Sequence, residues 1–388
     1  PHFHSSLTAN QIRAMIRNHL STIIITVITA TMGVIAAVSF GRMHHPEELF
    51  PSDGLTAKVM LSDYFEGIKG TNGDTEVYMF DSGVEGGTAL VCGGAHPNEA
   101  ASFLSTVVIL ENLRVTCGRV FIIPRLNNSA FTCSDPMEGF PTSYEIPTKN
   151  GERRFRLGSR VTNPLDQWPD PLVFSQYPSN QQLSGFETRN INRAYPGRPD
   201  GNLTERIAYA VVRLIEKEKV NIAFDIHESS PEVPIVNVIV YHENYEEIAM
   251  SAVLGLEMAG LQFSPETSPK NFHGLSHREW GDYTNAIPFL METSNPSMGR
   301  LRGRTDVDLV LRGYCDNYKK AKETGALRIA YREDTGEPIA HRVGRHIAGV
   351  VELINSYNLY YPDKQIVIEN LPDYDMIMEK GVGEFLNN

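Results

Sequence analysis

A histidine and a glutamate three residues apart are the first groups in this chain able to do chemistry together. The stretch LVCGGAHPNEAASF, residues 90–103, ends a hydrophobic run in two glycines and then presents His96 and Glu99. Gly93 and Gly94 permit a tight strand-to-helix turn with backbone angles that other residues resist. An imidazole and a carboxylate converging at such a turn make a ligand pair suited to zinc. Alone, H-x-x-E is a common spacing, and a histidine that merely begins a helix reads the same way.

A second stretch adds a third ligand. NIAFDIHESS, residues 221–230, is an apolar strand that brings His227 to its carboxyl end, on the rim where His96 emerges. Asp225, two residues earlier, projects from the same face of the strand and can hold a ligand imidazole by hydrogen bonding. Three protein ligands with a fourth position open describe a catalytic zinc site and not a structural one. In TRNINRAYPG, residues 188–197, Asn192 and Arg193 precede a Pro-Gly turn. A guanidinium in a cleft clamps a carboxylate through two parallel hydrogen bonds. In IPFLMETSNP, residues 287–296, Glu292 ends an apolar strand, where a carboxylate facing an activated water can act as general base.

The elements that must position these groups follow from periodicity. Short apolar runs predict strands at Glu76–Phe80, Thr88–Cys92, Val120–Ile123, Ile222–Ile226, Ile235–Tyr241 and Ile287–Met291. Amphipathic stretches predict helices at Asn98–Leu113, Leu203–Lys217, Tyr245–Ala259, Asp306–Lys322 and Ile339–Asn355. Asn202, with Glu205 three later, reads as a capping box. Strands interleaved with helices imply an α/β fold: a doubly wound, mostly parallel or mixed sheet with helices on both faces. Ligands of such sheets bind outside the carboxyl ends of the strands. Residues 134–186 break the pattern and read as a long loop or lid carrying Arg153, Arg154, Arg156 and Arg160.

Composition narrows the partners. The 388 residues carry a net charge of −12, which repels phosphate backbones and argues against nucleic acid. The four cysteines form no C-x-x-C pair, so a thiolate metal site is not expected. Residues 20–41 are 22 uncharged positions, enough at about 1.5 Å each to cross a bilayer core of roughly 30 Å. Arg13 and Arg17 before the span place the amino terminus in the cytoplasm and the rest of the chain outside. A cleaved signal peptide ending near Ala37-Val38-Ser39 is the competing reading. The expected organisation is an anchor over 1–42, a linker over 43–57 and a hydrolase domain over 58–388. That domain has its core at about 75–325 and a helix and tail over 326–388.

Taken in order, G-G-x-H-x-x-E, N-x-N-R-x-x-P-G, D-x-H and a late strand-end E-T resemble the zinc carboxypeptidase superfamily. The closest resemblance is to its succinylglutamate desuccinylase and aspartoacylase branch, over roughly residues 75–325. The resemblance implies one zinc ion held by His96, Glu99 and His227, with Asn192 and Arg193 on the substrate's carboxylate. It implies Glu292 as the base and a nearby arginine at the oxyanion, for which Arg160 is the candidate. The activity implied is hydrolysis of a C–N amide bond beside a free carboxylate. Asn190 stands where that branch usually has Asp, and the chain end reads as a helix and tail instead of a β-domain. Both departures keep a peptide substrate, cell-wall peptides included, open beside an N-acyl amino acid. His273 and His277, four apart, suit a loop lining the cleft better than a second metal. Tyr283 is near Glu292 in sequence without a motif to support it.

Overall fold

Alternation along two central strands decides what each face of the sheet meets. In Ile222–Ser229, Ile222, Phe224 and Ile226 enter one buried cluster and Ala223 enters another. In Thr88–Cys92, Ala89 and Val91 join the first cluster, and Leu90 and Cys92 the second. Side chains of period two on opposite faces require cover on both sides, which helices supply.

The computed structural model describes residues 8–134, 140–325 and 331–387. Residues 1–7 of the expected anchor, 135–139 of the expected loop and 326–330 of the carboxyl-terminal part lie outside the described residues. Among the described residues, eight strands form one sheet: β1 (Ala57–Met60), β2 (Glu76–Asp81), β3 (Thr88–Cys92), β4 (Arg119–Ile123), β5 (Ile222–Ser229), β6 (Val238–Tyr241), β7 (Ser264–Thr267) and β8 (Ile287–Ser294). Their spatial order is β1-β2-β4-β3-β5-β8-β6-β7. The central run β4-β3-β5-β8 is parallel, while β1-β2, β2-β4 and β8-β6 pair antiparallel. This is the mixed, mostly parallel α/β sheet that the sequence predicts.

Helices α2 (Ala100–Asn112), α4 (Glu246–Met258) and α6 (Ile339–Tyr360) bury their apolar residues in the first cluster. Helix α3 (Leu203–Lys217) and Trp280 of α5 (Ser276–Tyr283) cover the other face. The capping box at Asn202 and Glu205 is present, with both reciprocal hydrogen bonds made.

The described part of the amino-terminal unit holds one helix, α1 (Ala9–Arg42), started by a capping box between Thr8 and Gln11. Its segment His19–Arg42 contains an 18-residue stretch of mean hydropathy 2.3, and by length and composition it is long and apolar enough to cross a membrane. Of residues 43–57, expected from sequence to be a linker, those from Pro46 onward belong to the second unit. There Glu47 pairs with Arg156 at 2.7 Å, and Phe50 N–H donates to Glu111.

Several elements differ from expectation. Residues 134–186 are not without regular structure: Ser143–Thr148 pairs with Gly151–Arg156, and Val173–Ser175 with Gln182–Ser184. The first hairpin escapes a hydropathy pattern because it buries Arg153 and Arg156 as ion pairs with Glu111 and Glu47. The helix expected over Asp306–Lys322 is two helices, broken at Gly313 with φ +60. A Cβ there would stand 2.2 Å from the Glu337 carbonyl oxygen. Strand β6 begins only at Val238, after Asn237 turns through a positive φ of 53. Short β1 and β7, and α5 with its charged sequence, carry no periodic signal strong enough to read.

Candidate active site

The turn between β3 and α2 is built by glycine. Gly94 has φ +65, and a Cβ there would meet the Pro124 carbonyl oxygen at 2.6 Å. A Cβ on Gly93 would meet the Ser102 carbonyl oxygen at 2.7 Å. Ser102 accepts from Gly94 N–H at 3.0 Å and donates to the Ile226 carbonyl at 2.5 Å, so it ties the turn to β5. Glu99 N–H closes the turn onto the His96 carbonyl at 2.9 Å.

The parallel sheet brings the remaining groups to this turn. Strands β5 and β8 each run three residues further than their apolar runs indicate, and His227 lies directly beside Glu292 in their register. Glu99 Oε1 stands 2.7 Å from His96 Nδ1, and Oε2 stands 2.9 Å from His227 Nδ1. The ligand atoms of these three buried residues all lie within 4.8 Å of one another. Donor atoms around a tetrahedral zinc with bonds near 2.0 Å stand about 3.3 Å apart. The separations here, 2.7 and 2.9 Å to the Glu99 oxygens and no more than 4.8 Å in all, bracket that value, so the three groups fit such an ion.

Both imidazoles are oriented from behind. His96 Nε2 donates to Asn190 Oδ1 at 2.8 Å, which leaves the Nδ1 lone pair directed at Glu99. His227 Nε2 is 2.9 Å from Asp225 Oδ2 but off a straight hydrogen bond, so charge more than a directed bond couples them. Asp225 Oδ2 also accepts from Ser276 Oγ at 2.5 Å.

The site's electrostatics favour a cation at its centre. Burial would lower the His227 pKa, but Asp225 and then Glu99 push it well above the ordinary value. Burial would raise Glu99, yet His96 and His227 hold it well below the usual carboxylate range. Burial and the Arg160 charge push His96 down to about 4. A pocket that holds one positive charge between two carboxylates beside a neutral imidazole suits a metal cation as well as a proton. Glu292 is half-buried, and desolvation and the Glu99 charge push its carboxyl up to about 8; its buried Oε2 has no hydrogen-bond partner among the described residues.

The arginines divide by position. Of the basic cluster only Arg160 reaches the site, with Nη1 at 3.2 Å from Glu99 Oε1 and 3.3 Å from His96 Nδ1. Arg153 and Arg156 are structural, and Arg154 bonds Ser143. Arg193 lies over the Phe272 ring at 5.0 Å, and burial and the Arg160 charge lower its pKa to about 10. Asn192 Oδ1 accepts from Ser276 N–H at 2.8 Å, which pins the turn Ile191–Arg193 to the start of α5. Tyr283 instead lines a cavity with Asn221 and Ile287, at the opposite ends of β5 and β8. His273 pairs with Glu279 at 3.0 Å and His277 with Ser268 at 2.8 Å, so the two do not share a ligand position.

No protein-family model matches the chain. The N-alpha-acetyl-L-2,4-diaminobutyric acid deacetylase of Halomonas elongata is 25% identical over 160 residues, 41% of this chain and 33% of that protein. A succinylglutamate desuccinylase from Silicibacter sp. TM1040 aligns at TM-score 0.38 and 17% identity, over 68% of this chain and 64% of that one. A metallo-carboxypeptidase from Burkholderia cenocepacia aligns at TM-score 0.46 and 10% identity, over 84% and 69%. The chain spans about a third of the length of the curated relative it matches.

Two supports were not legible as such. Asn190 stood out only for its amide, yet besides His96 it accepts from Asn192 N–H at 3.0 Å and donates to Glu187 at 2.7 Å. Glu228, next to His227, is fully buried against Arg342 of α6 at 2.6 Å. Glu228 Oε2 accepts from Ala101 N–H at 2.8 Å and Asn295 Nδ2 at 3.0 Å, while its own N–H donates to Glu99 Oε2 at 3.0 Å. The 114-residue separation of Glu228 and Arg342 leaves no local signal for that pair.

Asn190→Ala is expected to weaken metal affinity about 10–100-fold, as losing an imidazole's outer partner does. Asn190→Asp, whose carboxylate accepts the same N–H, is expected to restore it. Competition titration with a chromogenic chelator reads both; unchanged affinity in Asn190→Ala would remove Asn190 from this role.

Proposed function

We propose that this chain is a membrane-anchored, zinc-dependent hydrolase that cleaves a C–N amide bond beside a free carboxylate, as a deacylase of N-acyl amino acids. One observation carries the reading. Two buried imidazoles present Nδ1 to the two oxygens of one carboxylate, while their Nε2 atoms face Asn190 and Asp225. Imidazoles tied at the far nitrogen are the usual form of metal ligands, and two histidines with one glutamate are a catalytic zinc set. One zinc ion, when bound, supplies Lewis acidity to the scissile carbonyl and acidifies a water.

The chain's own groups do the rest. As the water oxygen bonds the carbonyl carbon, Glu292 takes its proton; as the C–N bond breaks, Glu292 returns that proton to the amine nitrogen. A carboxylic acid and an amine leave. Arg160, beside Glu99, faces the negative charge that develops on the carbonyl oxygen. Asn192 and Arg193 hold the substrate's carboxylate and so place the amide over Glu292. The deacetylase relative, named for an N-acyl amino acid, supports the choice of substrate class. The apolar span His19–Arg42, preceded by Arg13 and Arg17, supports an anchor with the hydrolase domain outside the cytoplasm.

Arg193→Ala is expected to raise KM about 10–100-fold for an N-acyl amino acid, the loss of a charge-assisted contact, and to leave KM for the matching amide unchanged. Equal losses for acid and amide would separate Arg193 from carboxylate recognition. A metallocarboxypeptidase acting on peptides, cell-wall peptides among them, would use the same groups. Rates on N-acyl amino acids and short peptides compared side by side distinguish the two.

A further inference from the structure

A second cluster of cations lies at the start of α6, outside the site above. A cavity of about 480 Å³ opens there, lined among others by Lys322, Arg332, His341, Arg345 and Tyr374. Its volume is in the range of small-molecule sites. We propose that this cavity binds a small oxyanion, a phosphate or carboxylate group, between the guanidinium groups of Arg332 and Arg345.

Neither arginine has an ion-pair partner among the described residues, although Arg332 Nε donates to Thr335 Oγ1 at 3.1 Å and its Nη1 to Tyr374 OH at 3.4 Å. Arg345 is only 5% exposed. Its Nη2 donates to the Gln262 carbonyl and its guanidinium lies 4.1 Å from the Phe263 ring centroid, but its buried Nε has no partner. Among the described residues no carboxylate lies within ion-pair distance of Arg345 or Arg332. Glu337 is the nearest compensating charge, but it makes no ion pair with Arg345, and an oxyanion held in a guanidinium fork would supply the missing contact.

The neighbours leave the arginines available. His341 Nδ1 accepts from Tyr374 OH at 2.6 Å and from Arg332 Nη1 at 3.0 Å, so its lone pair is spent and the ring stays neutral. Burial and the charges of Arg345 and Arg332 act the same way, lowering its pKa to about 2. Glu337 is the buried acid in the wall, and its oxygens face other groups: Oε1 accepts from Arg332 N–H at 3.0 Å, and Oε2 stands 3.4 Å from His341 Nε2. Asp375, also in the wall, is exposed and makes no ion pair with the three cations. Lys322 adds a partly exposed charge at the rim, 3.9 Å from Glu333. The three cations outnumber the two carboxylates of the wall, Glu337 and Asp375, on a chain of net charge −12.

Isothermal titration of the full chain with inorganic phosphate, and separately with succinate, at constant ionic strength tests the site and separates the two chemistries. Saturable binding of either anion is expected by about 10 mM, where a millimolar site fills. Arg332→Gln, at an exposed position, is expected to weaken it at least tenfold, and Arg345→Lys likewise. Arg193→Ala, which disables the other arginine-lined site, is expected to keep it. Absence of saturable binding of both anions overturns the proposal. So does binding that survives Arg332→Gln, or that disappears only in Arg193→Ala.

Discussion

Purified Glu292→Gln protein is expected to turn over about a thousandfold more slowly than wild type, the middle of the range for removing a general base, while its zinc content stays unchanged. The amide is the same shape as the carboxylate but cannot accept the proton. Glu292 makes no ligand contact and its Oε2 has no hydrogen-bond partner, so the substitution removes no bond that holds the site together. Its pKa, raised to about 8 by burial and by Glu99, also sets a pH profile. Only the ionised form accepts a proton, so kcat/KM must rise with pH through this group. A bound cation favours the carboxylate, which moves the midpoint of that rise below 8. Steady-state kinetics with metal analysis of the same preparation checks both parts. A variant within tenfold of the wild-type kcat would take the base role from Glu292.

His96→Ala is expected to lose the ion itself. A zinc site is worth roughly 10–16 kcal/mol, so one ligand's share is about 3 kcal/mol, a hundredfold or more in affinity. The variant should purify with little zinc, have no detectable turnover at trace metal, and recover partly as zinc is added. Glu292→Gln should not recover, which separates loss of the ion from loss of the base. Wild-type protein treated with a strong chelator should behave like His96→Ala and regain full activity with zinc. If His96→Ala binds zinc as tightly as wild type, the ion lies elsewhere or is absent, and the hydrolase reading fails with it.

The readable part of this site shares one property. His96, Glu99, His227 and Glu292 each sit where an apolar run ends, and an ionisable residue at such a boundary stands out against its neighbours. The same contrast marks β3, β5, β8 and α3. Where burial is ionic, the contrast disappears: the hairpin 143–156 buries Arg153 and Arg156 against Glu111 and Glu47, partners 42 and 109 residues away. Arg342 on Glu228 is hidden in the same way. A charge that is neutralised at long range reads, in sequence, as a charge in water.

The amino-acid sequence by itself determined the apolar span, the two-sided α/β sheet, and the kinds and order of groups able to bind a metal and move a proton. It did so because periodicity and the glycine turn are local, each set within a few residues. Only the tertiary structure decided that two imidazoles turn Nδ1 to one carboxylate, that Asn190 and Asp225 stand behind them, and that Arg160 alone of four arginines reaches them. Those are angles and distances between strands and loops far apart in the chain. They exist only once the sheet's parallel register has set β3, β5 and β8 side by side.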